Sequence, residues 1–66
     1  MDSSAVRTRG LLLRITEAAD LLAIGRSTVY ELIAGEQLET VHIGRAVRVT
    51  RASIEAFVER ERSGRD

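Results

Sequence analysis

The chain has 66 residues, room for one domain with a small core and a stability on the order of a few kcal/mol. Hydrophobic residues make up 44% and charged residues 30%, which excludes a disordered chain; the lack of cysteine excludes a disulfide framework, a thiolate metal site and structural zinc. Ten arginines balance ten acidic residues, so bulk charge does not by itself mark a nucleic-acid binder.

Residues 1–10 are short, polar and aperiodic, and read as a flexible arm carrying Arg7 and Arg9. Leu11 to Leu13 is too short an apolar run for a signal-peptide core or a membrane span, so the expected location is the cytoplasm. Leu11, Leu13 and Ile15 alternate with Leu12 and Arg14, which predicts a short strand. Thr16 reads as the N-cap of a first helix, with Glu17 in the turn where the helix dipole favours negative charge. Ala18, Leu21 and Leu22 give that helix its core face, and Gly25 breaks it.

Val29, Leu32 and Ile33 repeat the spacing in a second helix that stops at Gly35. Val41-His42-Ile43 and Val47-Arg48-Val49 alternate with period two about Gly44 and predict a hairpin. A two-residue loop at Gly44-Arg45 would set Val41 opposite Arg48. A three-residue tip, Gly44-Arg45-Ala46, instead pairs Ile43 with Val47, His42 with Arg48 and Val41 with Val49, and is the expected register because it keeps apolar residues together. Thr50 caps a third helix with Ile54, Phe57 and Val58 on its core face. The expectation is an α+β fold, a small winged helix-turn-helix over residues 11–62 with a flexible tail over residues 63–66.

Two short helices joined by a glycine-containing turn, here Thr16 to Ile33, form the unit that lays the start of its second helix against base edges in the major groove. Ala18 and Ala19 permit close helix approach, and Ile24 can plug the corner. With Val29, Leu32 and Ile33 turned inward, Ser27, Glu31 and Ala34 face away, flanked by Arg26, Thr28 and Tyr30. Arg26 can chelate guanine O6 and N7 or grip a phosphate, Ser27 and Thr28 can bond to phosphates or base edges, and Tyr30 can reach a phosphate. Each has a plainer reading: Arg26 as solvated surface, Ser27 and Thr28 as local caps, Tyr30 as core.

The hairpin reads as a wing, with Arg45 at its tip and Arg48 on its exposed face for phosphate or minor-groove contact. Its plainer reading is a hairpin that covers the core, and His42 reads as an exposed strand residue. From Arg7 to Arg51 seven arginines face five acidic residues, a local excess of +2 within the neutral whole. Arginine as the sole basic residue type suits bidentate contacts, although a GC-rich coding sequence explains it more simply.

Ile15-Thr-Glu-Ala-Ala-Asp-Leu-Leu22, Arg26-Ser-Thr-Val-Tyr30, Leu32-Ile33, Leu38, Val41-His-Ile-Gly-Arg45 and Arg48-Val-Thr50 together resemble the excisionase-type, MerR-like winged helix-turn-helix family from Leu13 to about Val58. The resemblance implies DNA contacts for Arg26, Ser27, Thr28 and Tyr30 on the recognition helix and for Arg45 and Arg48 on the wing. The sequence departs from the family where Gly25 replaces a capping serine or threonine, where Glu39, His42 and Val47 replace basic residues, and where the loop glycine falls one place early, at Gly35 before Glu36.

About fifteen residues follow the wing, too few for the dimerising helix and sensor of a full MerR-type activator. The family role implied at this size is the excisionase, or recombination directionality factor, of a mobile element. It binds and bends attachment-site DNA, often by cooperative self-association on tandem sites, and recruits an integrase so that excision is favoured. A small transcriptional regulator is the close alternative. A protein-interaction module is the alternative of another class, favoured by neutral charge and by Glu31 on the recognition face. No nucleophile-base set, metal cluster or phosphate loop is present, so no enzyme, cofactor, small-molecule substrate or membrane partner is expected.

Overall fold

The computed structural model describes residues 10–64. The expected N-terminal arm with Arg7 and Arg9, apart from Gly10, lies outside the described residues, as do Arg65 and Asp66 of the expected tail. In chain order the elements are β1 (Leu12–Leu13), α1 (Ile15–Leu22), α2 (Arg26–Ala34), β2 (Thr40–Ile43), β3 (Ala46–Thr50) and α3 (Arg51–Ser63). The three strands form one antiparallel sheet in the order β1-β3-β2.

The α1 helix begins two residues earlier than its pattern predicts. Arg14, not Thr16, is the N-cap, and its backbone N–H donates to the Glu17 carboxylate at 2.8 Å. Starting at Ile15 gives the inward stripe Ile15, Ala18, Ala19 and Leu22, at i, i+3, i+4 and i+7. Leu21 lies a helical step off that stripe and is 55% exposed, contrary to its expected place in the core. On α3, Ile54 is buried and Phe57 half-buried, while Val58 falls at the edge of the packed face and is exposed.

One cluster of buried side chains links the elements: Leu13 from β1, Ala18 and Ala19 from α1, Val29 from α2, Leu38 from the connection, Val49 from β3 and Ile54 from α3. Val29 and Val49 are completely buried. Each contributes about 1.5–3 kcal/mol relative to an exposed position, a large share for a chain this small. Leu11, expected within the N-terminal strand, lies before β1 and is exposed. Thr50 caps α3 as expected, its Oγ1 accepting from the Ser53 N–H at 3.2 Å.

The hairpin overturns the expected register. Ile43 pairs with Ala46, His42 with Val47, Val41 with Arg48 and Thr40 with Val49, which leaves a two-residue loop, Gly44-Arg45. Gly44 has φ +60° and Arg45 is not in the positive-φ region, as a type II′ turn requires, with glycine at its first central position. That turn matches the right-handed twist of the strands, and its geometry outweighs apolar pairing near the tip because only the base of the hairpin lies over the core. Val49 is buried there, whereas Ile43 and Val47 project beyond it.

Side chains also fasten the periphery. Arg60 donates to the carbonyl and side-chain oxygens of Gln37 at 3.2 and 3.1 Å, tying α3 to the connection after α2, and its guanidinium lies 6.0 Å from the Phe57 ring centroid. Arg51 donates through Nε to the Gly10 carbonyl at 2.8 Å, and its N–H bonds to the Leu11 carbonyl. Among the described residues no helix is long and apolar enough to cross a membrane.

Candidate nucleic-acid interface

The turn between α1 and α2 sets α2 in place. Ala23 takes the left-handed conformation at φ 57°; its N–H bonds to the Asp20 carbonyl at 3.1 Å and that of Ile24 to the Ala19 carbonyl at 3.0 Å. These two bonds form a Schellman motif, which closes α1 at Leu22. The break therefore falls at Ala23, and Gly25 serves instead as the extended N-cap of α2, with φ −77° and ψ 162°. Ile24 folds back onto the core, as the corner position predicts. Val29 N–H reaches the Gly25 carbonyl at 3.2 Å to begin the helix.

As the glycine substitution implies, α2 has no side-chain cap. The N–H groups of its first turn therefore remain available to an external acceptor. Around them Arg26, Ser27 and Thr28 are all exposed. Tyr30 is 58% exposed, which excludes its reading as a core residue, and Glu31 and Ala34 also face solvent. The inward face holds Val29, Leu32 and Ile33 as expected.

The far end of α2 has a different economy. Glu36 adopts the left-handed conformation at φ 63°, while Gly35, at φ −86°, does not need to be glycine. Glu36 N–H bonds to the Ile33 carbonyl at 3.0 Å and Gln37 N–H to the Leu32 carbonyl at 2.8 Å, a second Schellman motif. The displaced loop glycine thus leaves a glutamate in the one position of this turn that favours glycine.

On the hairpin, Arg45 is exposed at the second loop position. Arg48 is half-buried on the outer face of the sheet, opposite Val41, and its guanidinium donates to the Val47 carbonyl at 3.0 Å. His42 is an exposed strand residue. Among the described residues, Arg26, Arg45 and Arg48 pair with no carboxylate; the Arg62–Glu59 pair at 3.1 Å lies on α3. Among the described residues α2 and the wing thus carry three arginines without an ion-pair partner, a local positive charge within a neutral total.

Two exposed residues escaped sequence reading. Arg14, at the N-cap of α1, adds another exposed cation with no carboxylate ion pair among the described residues; its position became visible only with the true helix start. Ile43 is 59% exposed on the outer face of the wing, and the glycine-first signal for a two-residue loop would have revealed it. No group of acidic, histidine or cysteine side chains suited to a metal occurs among the described residues.

A family model described as a helix-turn-helix domain matches residues 12–62. The chain belongs to that family. The match runs from β1 through nearly all of α3, so this helix-turn-helix domain includes the wing as well as the two helices that define the motif. Over 50 residues the domain is 40% identical to a protein named "probable excisionase" from Saccharopolyspora erythraea, covering 76% of this chain and 51% of that relative. The chain spans about half the length of the curated relative it matches. No solved structure gives a significant match.

Proposed function

We propose that this helix-turn-helix protein acts as an excisionase: it binds duplex DNA at an attachment region, bends it and recruits an integrase to favour excision. The observation that carries the DNA-binding part is the uncapped, fully exposed first turn of α2, where Arg26, Ser27 and Thr28 surround free N–H groups with Tyr30 one turn on. In this reading Arg26 takes guanine or a phosphate, Ser27 and Thr28 bond to base edges or backbone, and Tyr30 donates its hydroxyl to a phosphate. Arg45 and Arg48 hold the adjacent backbone or minor groove.

The excisionase assignment is supported by the relative named "probable excisionase". No chemistry is assigned to the chain itself. The neutral total favours binding by several copies on tandem sites over tight binding by one. The test is an excision reaction in vitro with the integrase of the encoding element and a plasmid carrying its attachment sites. Added protein should raise excision at least ten-fold, and the Arg26→Ala variant should not. Excision unaffected by the protein, with specific binding at a promoter, would replace this role by transcriptional regulation.

A further inference from the structure

The observed register places Ile43 where an apolar side chain has no packing role. We propose that Ile43 is a wedge that enters between base pairs from the minor groove and kinks the duplex, with Arg45 and Arg48 gripping the backbone on either side. This inference rests on the DNA-binding reading above and specifies how the wing performs it.

Four observations converge on the residue. Ile43 is 59% exposed although it sits within a paired strand, next to the Gly44-Arg45 turn. Its cross-strand partner is Ala46, whose short side chain leaves the isoleucine standing proud of the outer face. On that same face Arg48 is the diagonal neighbour, two positions beyond Ala46, and Arg45 lies at the tip two residues from Ile43 in sequence. An apolar projection is thus bracketed by two cations with no carboxylate partner among the described residues.

The physical requirements of a wedge are met by this arrangement. An inserted side chain must be apolar, to replace the stacking it interrupts, and isoleucine is among the residues used so. It must also be held rigidly before binding. Ile43 is β-branched and lies in a strand whose register is fixed by a tight turn, so little side-chain freedom remains to be lost. Unstacking a step costs a few kcal/mol, which phosphate contacts beside the kink must offset; Arg45 and Arg48 are placed to supply them.

The experiment uses the full chain and a 40-base-pair duplex, of arbitrary flanks, selected by the protein from a random library. Energy transfer between dyes at the duplex ends reports the bend, and anisotropy at several salt concentrations reports affinity. Thermal melting of each variant verifies folding. Ile43→Ala should abolish most of the bend and weaken binding about ten-fold with an unchanged salt slope. Ile43→Met should retain the bend, whereas Ile43→Lys should bind with a steeper salt slope and no bend. A wild-type complex that is straight, or an Ile43→Ala or Ile43→Lys complex bent like wild type, overturns the wedge and leaves DNA binding standing. Failure of the wild type to select any duplex overturns both.

Discussion

Replacing Glu36 by glycine should stabilise the protein. Glu36 holds φ at 63°, a conformation that costs a non-glycine residue roughly 1–2 kcal/mol. Its side chain is exposed, and no hydrogen bond or ion pair to it appears among the described residues, so truncation removes no compensating contact. The carboxylate also sits at the C-terminal end of α2, where the helix dipole disfavours negative charge by about 0.3–1 kcal/mol at low salt. Against these gains stands the greater backbone freedom of glycine in the unfolded chain, worth about 0.5–1 kcal/mol. The balance is a stabilisation of about 1 kcal/mol, which for a domain of this size raises Tm by about 4–8 °C. Thermal melting followed by circular dichroism, with urea titration for the free energy, measures it directly. Glu36→Ala relieves the charge but keeps the strained φ, so it should recover only a few tenths of a kcal/mol. A Glu36→Gly variant no more stable than Glu36→Ala would refute the strain argument.

Gly25→Ser supplies the missing cap of α2 at an extended φ that any residue tolerates, with no atom within 4 Å of the added Cβ, and should stabilise by about 0.5–1 kcal/mol by urea titration; a destabilised variant would show that the turn needs glycine. Because a serine hydroxyl would occupy one of the N–H groups assigned to DNA, the same variant should bind duplex somewhat less tightly in an anisotropy titration. Val29→Ala should cost about 2–3 kcal/mol and Leu21→Ala less than about 0.5, since one is wholly buried and the other 55% exposed; equal costs in chemical denaturation would contradict the placement of α1. Gly44→Ala should destabilise by about 1 kcal/mol through its φ of +60° alone, as there is open space around the site; a neutral result in thermal melting would argue against the II′ turn.

Element order and type were legible because each helix carries a stripe at helical spacing and the wing alternates with period two. Thr50 announced its helix by a capping side chain. The errors arose where tertiary context decides. Leu21 and Leu22 are equivalent by composition, and only the addition of Ile15 to the stripe shows which one turns inward. At the hairpin, apolar pairing and turn chemistry gave opposite registers; the turn prevailed because the tip extends past the core, where burial no longer penalises an exposed Ile43. The candidate contacts on α2 were legible because its inward face is defined by three residues and the rest follows by rotation. The role of Arg60 was not, since its partner Gln37 is 23 residues away in sequence.

An anisotropy titration of the duplex selected by the protein, at 50 and 200 mM salt, decides whether α2 and the wing engage DNA through Arg26, Arg45 and Arg48. If the three arginines each neutralise one phosphate, the affinity falls about 40-fold across that range, from a slope near −2.7. Removing one of them by Arg26→Ala or Arg45→Ala should flatten the slope by about 1 and leave a fall of roughly 12-fold. Duplex binding whose salt dependence is the same in wild type and both variants would rule out phosphate contacts by these arginines, and a folded protein that binds no duplex at either salt concentration would rule out DNA binding altogether.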